Sequence, residues 1–361
     1  MEIVMSDRIG VRHQDAVYRD APQFTAESDP RELPASARSM PRRQQITGIA
    51  LYCLIAFGLC WLVCLPLWTG PGLSDPALLT ICGGIAMFTP ALSAILIVRL
   101  VERRSWRRRK SQISRPDGHA PERDTVLASL GLGMNGGLVR LLGALAIGII
   151  APVILLVASQ LLAGVLGTFD LDLTLRQAAA DLGLPAGTSL PQIWLAFGGK
   201  LLTAMVLGGA INLILALGEE LGWRGYLMPR IEQLWGLPAA IVAGGVLWGL
   251  WHAPLILLGY NYPDAVPWAG QLAMIAACIG VGGFLYWLTV RFGSLWPAAL
   301  AHGVNNATSA LIMTSLPAPG ATIDTVNGSA MGWPGWIVYG TVVLVGFALI
   351  RRRRRALVTG H

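Results

Sequence analysis

Seven side chains in the second half of this sequence have types and spacings suited to hydrolysis. Glu219 and Glu220 are followed by Arg224, Trp248 stands four residues before His252, and His302 stands four residues before Asn306. On a helix each of these four-residue pairs shares one face. Arg224 can neutralise Glu220 in the favourable acid-first order. Glu219, about 100° further around the helix, is then left to face elsewhere. A free carboxylate can activate water as a general base, and a histidine can position that water or carry its proton. A second histidine with a carboxamide can donate hydrogen bonds to a developing oxyanion. Glu219, His252, His302 and Asn306 would then form a hydrolase for a carbonyl bond, with water as nucleophile. Glu219, His252 and His302 could instead hold zinc with one open position. The His-Glu-x-x-His helix of the common zinc proteases does not occur.

The elements carrying these residues are membrane helices. Of the 361 residues, 54% are hydrophobic and 13% charged. Soluble domains have about 25% charged residues, so a soluble enzyme is excluded, as are a disordered chain and a disulfide-stapled secreted domain. Runs of roughly 20 apolar residues suffice to span a bilayer. The sequence offers eight, over 46–68, 78–98, 141–166, 201–222, 238–258, 268–290, 294–313 and 333–350. None alternates with the two-residue period of a barrel strand. The five cysteines all lie inside apolar stretches, without a Cys-x-x-Cys pair, and read as small packing residues.

Of 27 Lys and Arg residues, 25 fall in segments that share one side if the eight spans alternate; Arg176 and Lys200 fall on the other. The basic side is the cytoplasmic one. The expectation is an all-α membrane protein with eight transmembrane helices and both termini cytoplasmic. Residues 1–45 read as a disordered cytoplasmic tail, 46–350 as the membrane domain and 351–361 as a basic tail. Met40, directly before Pro41-Arg42-Arg43, is an alternative translation start. The net charge of +7 serves topology and anionic lipid rather than nucleic acid.

Ionisable residues within spans are costly unless paired or hydrated. A glutamate pair at a span end, or one histidine bonding between helices, is an ordinary feature. Three such elements on three helices of one half-chain make a site. One difficulty concerns depth. With these boundaries Glu219 lies near the inner end of the fourth span, whereas His252 lies about 21 Å along the fifth. The two meet only if the fourth helix reaches further in, or if the fifth starts in the headgroups.

The segment Glu219-Glu-Leu-Gly-Trp-Arg224-Gly225 resembles the Glu-Glu-x-x-x-Arg motif of the CPBP family. That family comprises CaaX prenyl endopeptidases, bacteriocin-processing enzymes and Abi membrane proteins. Trp248-Gly-Leu-Trp-His252 is similar to its Phe-x-x-x-His motif, with Trp in place of Phe, and His302-Gly-Val-Asn-Asn306 to its His-x-x-x-Asn motif. The match runs over about 200–313. The resemblance implies an intramembrane endopeptidase with eight helices and a site open to the cytoplasm. It implies Glu219 as base assisted by His252, His302 and Asn306 at the oxyanion, and supporting roles for Glu220 and Arg224. Trp248, in the place of the motif's Phe, joins them as a supporting residue. No cofactor is favoured, because the second histidine and the asparagine make a donor pair without metal; zinc is the alternative.

The implied partner is a peptide or protein, with a prenylated C-terminus, a leader peptide and a membrane regulator all compatible, in a bacterial plasma membrane. A non-catalytic scaffold or immunity-type protein of the same fold is the competing reading. A transporter would call for inverted repeats and paired broken helices, and the sequence has neither.

Overall fold

The computed structural model describes residues 41–102, 130–133 and 137–359. Among these the secondary structure is helical, with one isolated bridge between Leu171 and Pro317. Most of the expected N-terminal tail, most of the basic segment between the second and third expected spans, and the possible start at Met40 lie outside the described residues. The first helix, α1 (Arg42–Thr69), takes in the last residues expected in the tail. It stops at Gly70-Pro71-Gly72. Helix α2 (Pro76–Ala86) starts where Asp75 accepts from the N–H groups of Ala77 and Leu78, both at 3.0 Å, with Pro76 in the first turn. Pro90 interrupts the ladder, and the chain continues as α3 (Thr89–Ile97), which ends in a π turn over Val98–Glu102.

Next come α4 (Gly137–Val165), the short α5 (Arg176–Asp181) and α6 (Leu190–Thr203). α6 runs through a π turn into α7 (Gly209–Gly222), and a second π turn, Trp223–Leu227, leads into α8 (Met228–Trp235). Together they make a helical run of 46 residues. Gly236, at φ +84°, reverses the chain into α9 (Leu237–Trp251). α9 ends at His252 because Pro254 has no N–H to continue the ladder. One turn follows, α10 (Ala253–Ile256), then α11 (Pro267–Phe292), α12 (Trp296–Ser315) and α13 (Trp333–Thr359).

Among the described residues, six helical segments are long and apolar enough to cross a membrane. The other two expected spans are less regular. α9 has only 15 residues, about 22 Å of rise, because it is cut at His252. α12 has 20 residues, but His302, Asn305 and Asn306 lower its hydropathy. Both pack closely within the bundle, α9 along one side of α11 and α12 between two neighbours. α11 packs between α9 and α13, and α12 between α4 and α7. Gly245 and Gly249 let α9 lie against α11, since a Cβ there would stand 2.5 and 2.6 Å from the Cα atoms of Ile279 and Ile275. Small residues at such contacts are how membrane helices approach closely. The most exposed apolar side chains, such as Leu54, Leu195 and Leu344, point outward from the bundle.

Candidate active site

Glu219 and Glu220 sit in the last turn of α7, just before the π turn that holds Arg224. Their side chains part as the helical spacing predicts. Glu220 is fully buried, and its Oε1 accepts from an Arg224 guanidinium nitrogen and from His302 Nδ1, each at 2.8 Å. Glu219, 2% exposed, turns to the wall of a cavity instead. Its Oε2 accepts from the indole N–H of Trp248 at 2.6 Å.

The depth difficulty is resolved by the long α6–α8 run. Glu219 precedes the reversal at Gly236 by about 17 residues and His252 follows it by about 16, so helix rise sets both at roughly 25 Å from the turn. His252 Nδ1 lies 2.8 Å from the carbonyl oxygen of Trp248. A carbonyl only accepts, so Nδ1 carries the proton and Nε2 is the nitrogen able to accept. His302 donates its Nδ1–H to Glu220. Its Nε2, when protonated, is a donor.

Trp248 joins the whole group. Besides its bond to Glu219, its ring lies 5.7 Å from that of His252 and 5.4 Å from that of His302, and the Arg224 guanidinium stacks 4.0 Å above it. Gly282 on α11 makes room for this stack: a Cβ there would stand 3.1 Å from the guanidinium. Trp251, bonded to Thr89 at 3.2 Å, packs edge-on against His252 at 4.8 Å.

The cavity measures about 380 Å³. Glu219, His252, His302, Asn306 and Trp248 line it; Glu220 and Arg224 stand behind the wall. Sequence spacing did not single out the further polar lining residues, among them Asn305, Asn212 and Tyr260. Asn305 accepts from the Tyr339 hydroxyl of α13 at 3.0 Å, Asn212 donates to the Gly208 carbonyl at 2.9 Å, and Tyr260 lies at the rim. Asn305 was visible beside Asn306, whereas its partner Tyr339 is an ordinary aromatic of the last span. All five cysteines are free, and Cys60 and Cys278 pack into the cavity wall. No three His, Cys, Asp or Glu side chains converge as a metal-holding group among the described residues. Glu219, His252 and His302 share a cavity without forming such a group.

Three of the four exposed lining residues, Thr80, Tyr260 and Asn261, lie at the ends of helices remote from Arg42, Arg99, Arg291 and Arg351, and the fourth, Asn306, lies midway along α12. Two sequence expectations therefore exclude each other. The basic ends cannot be cytoplasmic while the cavity also opens to the cytoplasm.

Residues 200–308 match the family model described as type II CAAX prenyl endopeptidase Rce1-like. Over 114 residues, 30% of this chain, the sequence is 30% identical to the CAAX prenyl protease 2 of Methanococcus maripaludis. That alignment spans 42% of the relative's length. Both comparisons support the CPBP resemblance read from the three motifs, all of which lie within residues 200–308. With six helices able to cross a bilayer, the chain is a multi-pass membrane protein.

Proposed function

We propose, from this CAAX-protease-like segment and the site built on it, that the protein is an intramembrane endopeptidase using water activated by Glu219. One observation carries the reading. Of two adjacent glutamates, Glu220 is withdrawn into a buried pair with Arg224 and His302, while Glu219 faces the cavity. Water between Glu219 and the acceptor nitrogen of His252 would lose its proton to Glu219 as its oxygen bonds to the substrate carbonyl carbon. His302 and Asn306 on the facing helix would donate to the carbonyl oxygen as it becomes an oxyanion. The proton on Glu219 then passes to the leaving amine as the C–N bond breaks.

The mechanism is metal-free in this reading. Asn306 and His302 do the work of a Lewis acid by donating to the oxyanion. Activity that survives complete chelation supports it, and activity lost on chelation and restored by zinc overturns it. The basic residues support eight crossings with both termini cytoplasmic, α9 and α12 being the two further crossings, in a bacterial plasma membrane.

The test of the base is Glu219→Gln, which keeps the oxygen that accepts from Trp248. Cleavage of a membrane peptide should fall by about 10²-fold or more, with the amount of folded protein unchanged. Near-normal cleavage by this variant would remove Glu219 from its role. Comparing the membrane proteomes of cells carrying the variant and the wild type identifies the substrate, whether a prenylated protein, a leader peptide or a regulator.

A further inference from the structure

The cavity has a floor and a mouth, and they lie at different depths. Its floor is formed by buried residues, among them Glu219, Trp248 and His302, with Glu219 well inside the 46-residue helical run of α6–α8. Three exposed lining residues, Thr80, Tyr260 and Asn261, lie at the end where α1 joins α2 and α10 joins α11, and a fourth, Asn306, is exposed midway along α12. The loops of this end are tied together. The Trp68 indole donates to the Pro254 carbonyl at 2.8 Å, and the Tyr262 hydroxyl to the Met331 carbonyl at 2.9 Å.

The opposite end is closed. Between Glu219 and that end lies a layer of Tyr52, Trp223, Tyr226, Leu130 and Leu295, each at most 1% exposed. Tyr52 stacks on Tyr226 at 5.0 Å and meets Trp223 edge-on at 5.8 Å, and the Leu295 N–H donates to the Gly131 carbonyl at 3.0 Å. A peptide cannot reach the floor through this layer. Yet this is the end that carries the arginines: Arg42 and Arg43 open α1, Arg99 closes the α2–α3 run, Arg291 closes α11, and Arg351 and Arg352 lie in the final turns of α13. In sequence, the segments before Arg42 and between residues 102 and 137 hold most of the rest.

Basic residues at helix ends and in short loops mark the cytoplasmic side. We infer that the cavity takes its substrate from the extracytoplasmic face, as an internal apolar stretch of a membrane-associated peptide. This rests on the endopeptidase reading above and replaces the cytoplasmic opening implied by family resemblance. The wall agrees with the substrate class. No Lys or Arg is among the described residues that line the cavity, so neither of these side chains stands ready for a C-terminal carboxylate. Met87, Met274, Val281 and Met331 offer apolar surface instead.

Two arms test the inference separately from the chemistry. In the first, Asp264→Cys and Thr80→Cys mark the mouth, Gln233→Cys marks the α8–α9 turn, and the parent chain, with its buried or half-buried thiols, gives the background. A membrane-impermeant maleimide added to intact cells should label the first two variants, and Gln233→Cys only after permeabilisation. The reverse pattern overturns the inference. In the second arm, single-span reporter peptides carry an apolar test segment on the outer or the inner side. Cleavage of the outer segment that is lost in Glu219→Gln upholds the inference, and Glu219-dependent cleavage of the inner segment alone overturns it. The expected labelling without Glu219-dependent cleavage in either orientation upholds the face of the cavity and overturns the endopeptidase reading.

Discussion

The indole N–H of Trp248 donates to Glu219 Oε2 at 2.6 Å, from the first helix after the chain reverses to the last turn of α7. The family motif has Phe at this position, so the ring is common ground and the N–H is a property of this chain. A hydrogen bond to a charged acceptor contributes about 1.5–3 kcal/mol. Here it fixes the carboxylate that faces the cavity. The ring has a separate task, supporting the Arg224 guanidinium 4.0 Å above it. Trp248→Phe should therefore cost cleavage less than about tenfold, roughly 1.4 kcal/mol of barrier. Trp248→Ala should lose far more and should also lower the unfolding temperature. Steady-state kinetics and thermal unfolding in detergent separate the two effects. Equal losses in both variants would show that the N–H, not the ring, is the essential part.

Glu220 holds two partners on one oxygen, Arg224 and His302, both at 2.8 Å. All three groups are buried. Removing one member of such a pair typically costs about 3–5 kcal/mol, because the other charge remains buried and unpaired. Glu220→Gln should unfold at a clearly lower temperature than the wild type. Adding Arg224→Met removes the orphaned charge and should restore part of the loss, while cleavage stays low because His302 has lost its carboxylate. A double variant less stable than either single one would show that the two side chains do not act as a pair.

The pairs set by helical period were legible in the sequence: Glu220 with Arg224, and His302 on the same helix as Asn306. Burial and the direction of each partner then follow from the fold. The Trp248–Glu219 bond was not legible, because it depends on the reversal at Gly236 and on the α6–α8 run continuing to Trp235. Span counting placed eight apolar runs but did not show that α9 would end at His252, or that α12 gives up apolarity to carry its polar residues. Asn305 and Asn306 look alike in sequence. Only the packing of α13 gives Asn305 its tyrosine partner. The direction of the cavity was hidden for the same reason. Periodicity places a residue on a helix face, but a closed layer such as Tyr52 on Tyr226 joins residues far apart in the chain.

Outside the membrane helices, Asp172 ties the segment between α4 and α6. Burial alone would raise its pKa, but hydrogen bonds from Thr174 and Arg176 outweigh this and lower it from 3.8 to about 2. A depressed carboxylate pKa stabilises the fold above the unfolded value, and that contribution is lost as pH falls through the folded one. Asp172→Asn should thus unfold at a lower temperature than the wild type at pH 7, with the gap closing between about pH 4 and pH 2. The effect is modest because Arg176 is 67% exposed and solvent screens its charge. A gap that persists unchanged below pH 2 would assign the loss to packing rather than to charge.

The oxyanion role falls to Asn306 by helical spacing from His302, yet Asn305 also lines the cavity. The structure separates the two by their partners. The carboxamide oxygen of Asn305 accepts from the Tyr339 hydroxyl at 3.0 Å, which anchors it to α13. If Asn306 donates to the oxyanion, Asn306→Ala should lower kcat by about 10²–10³-fold, the usual cost of losing one such donor, with little change in KM or unfolding temperature. Tyr339→Phe leaves the Asn305 oxygen without its donor, a penalty of about 1–3 kcal/mol. It should lower the unfolding temperature while kcat falls less than about tenfold. The opposite outcome, a silent Asn306→Ala and a large kcat loss in both Asn305→Ala and Tyr339→Phe, would move the oxyanion donor to Asn305 and make Tyr339 the residue that positions it.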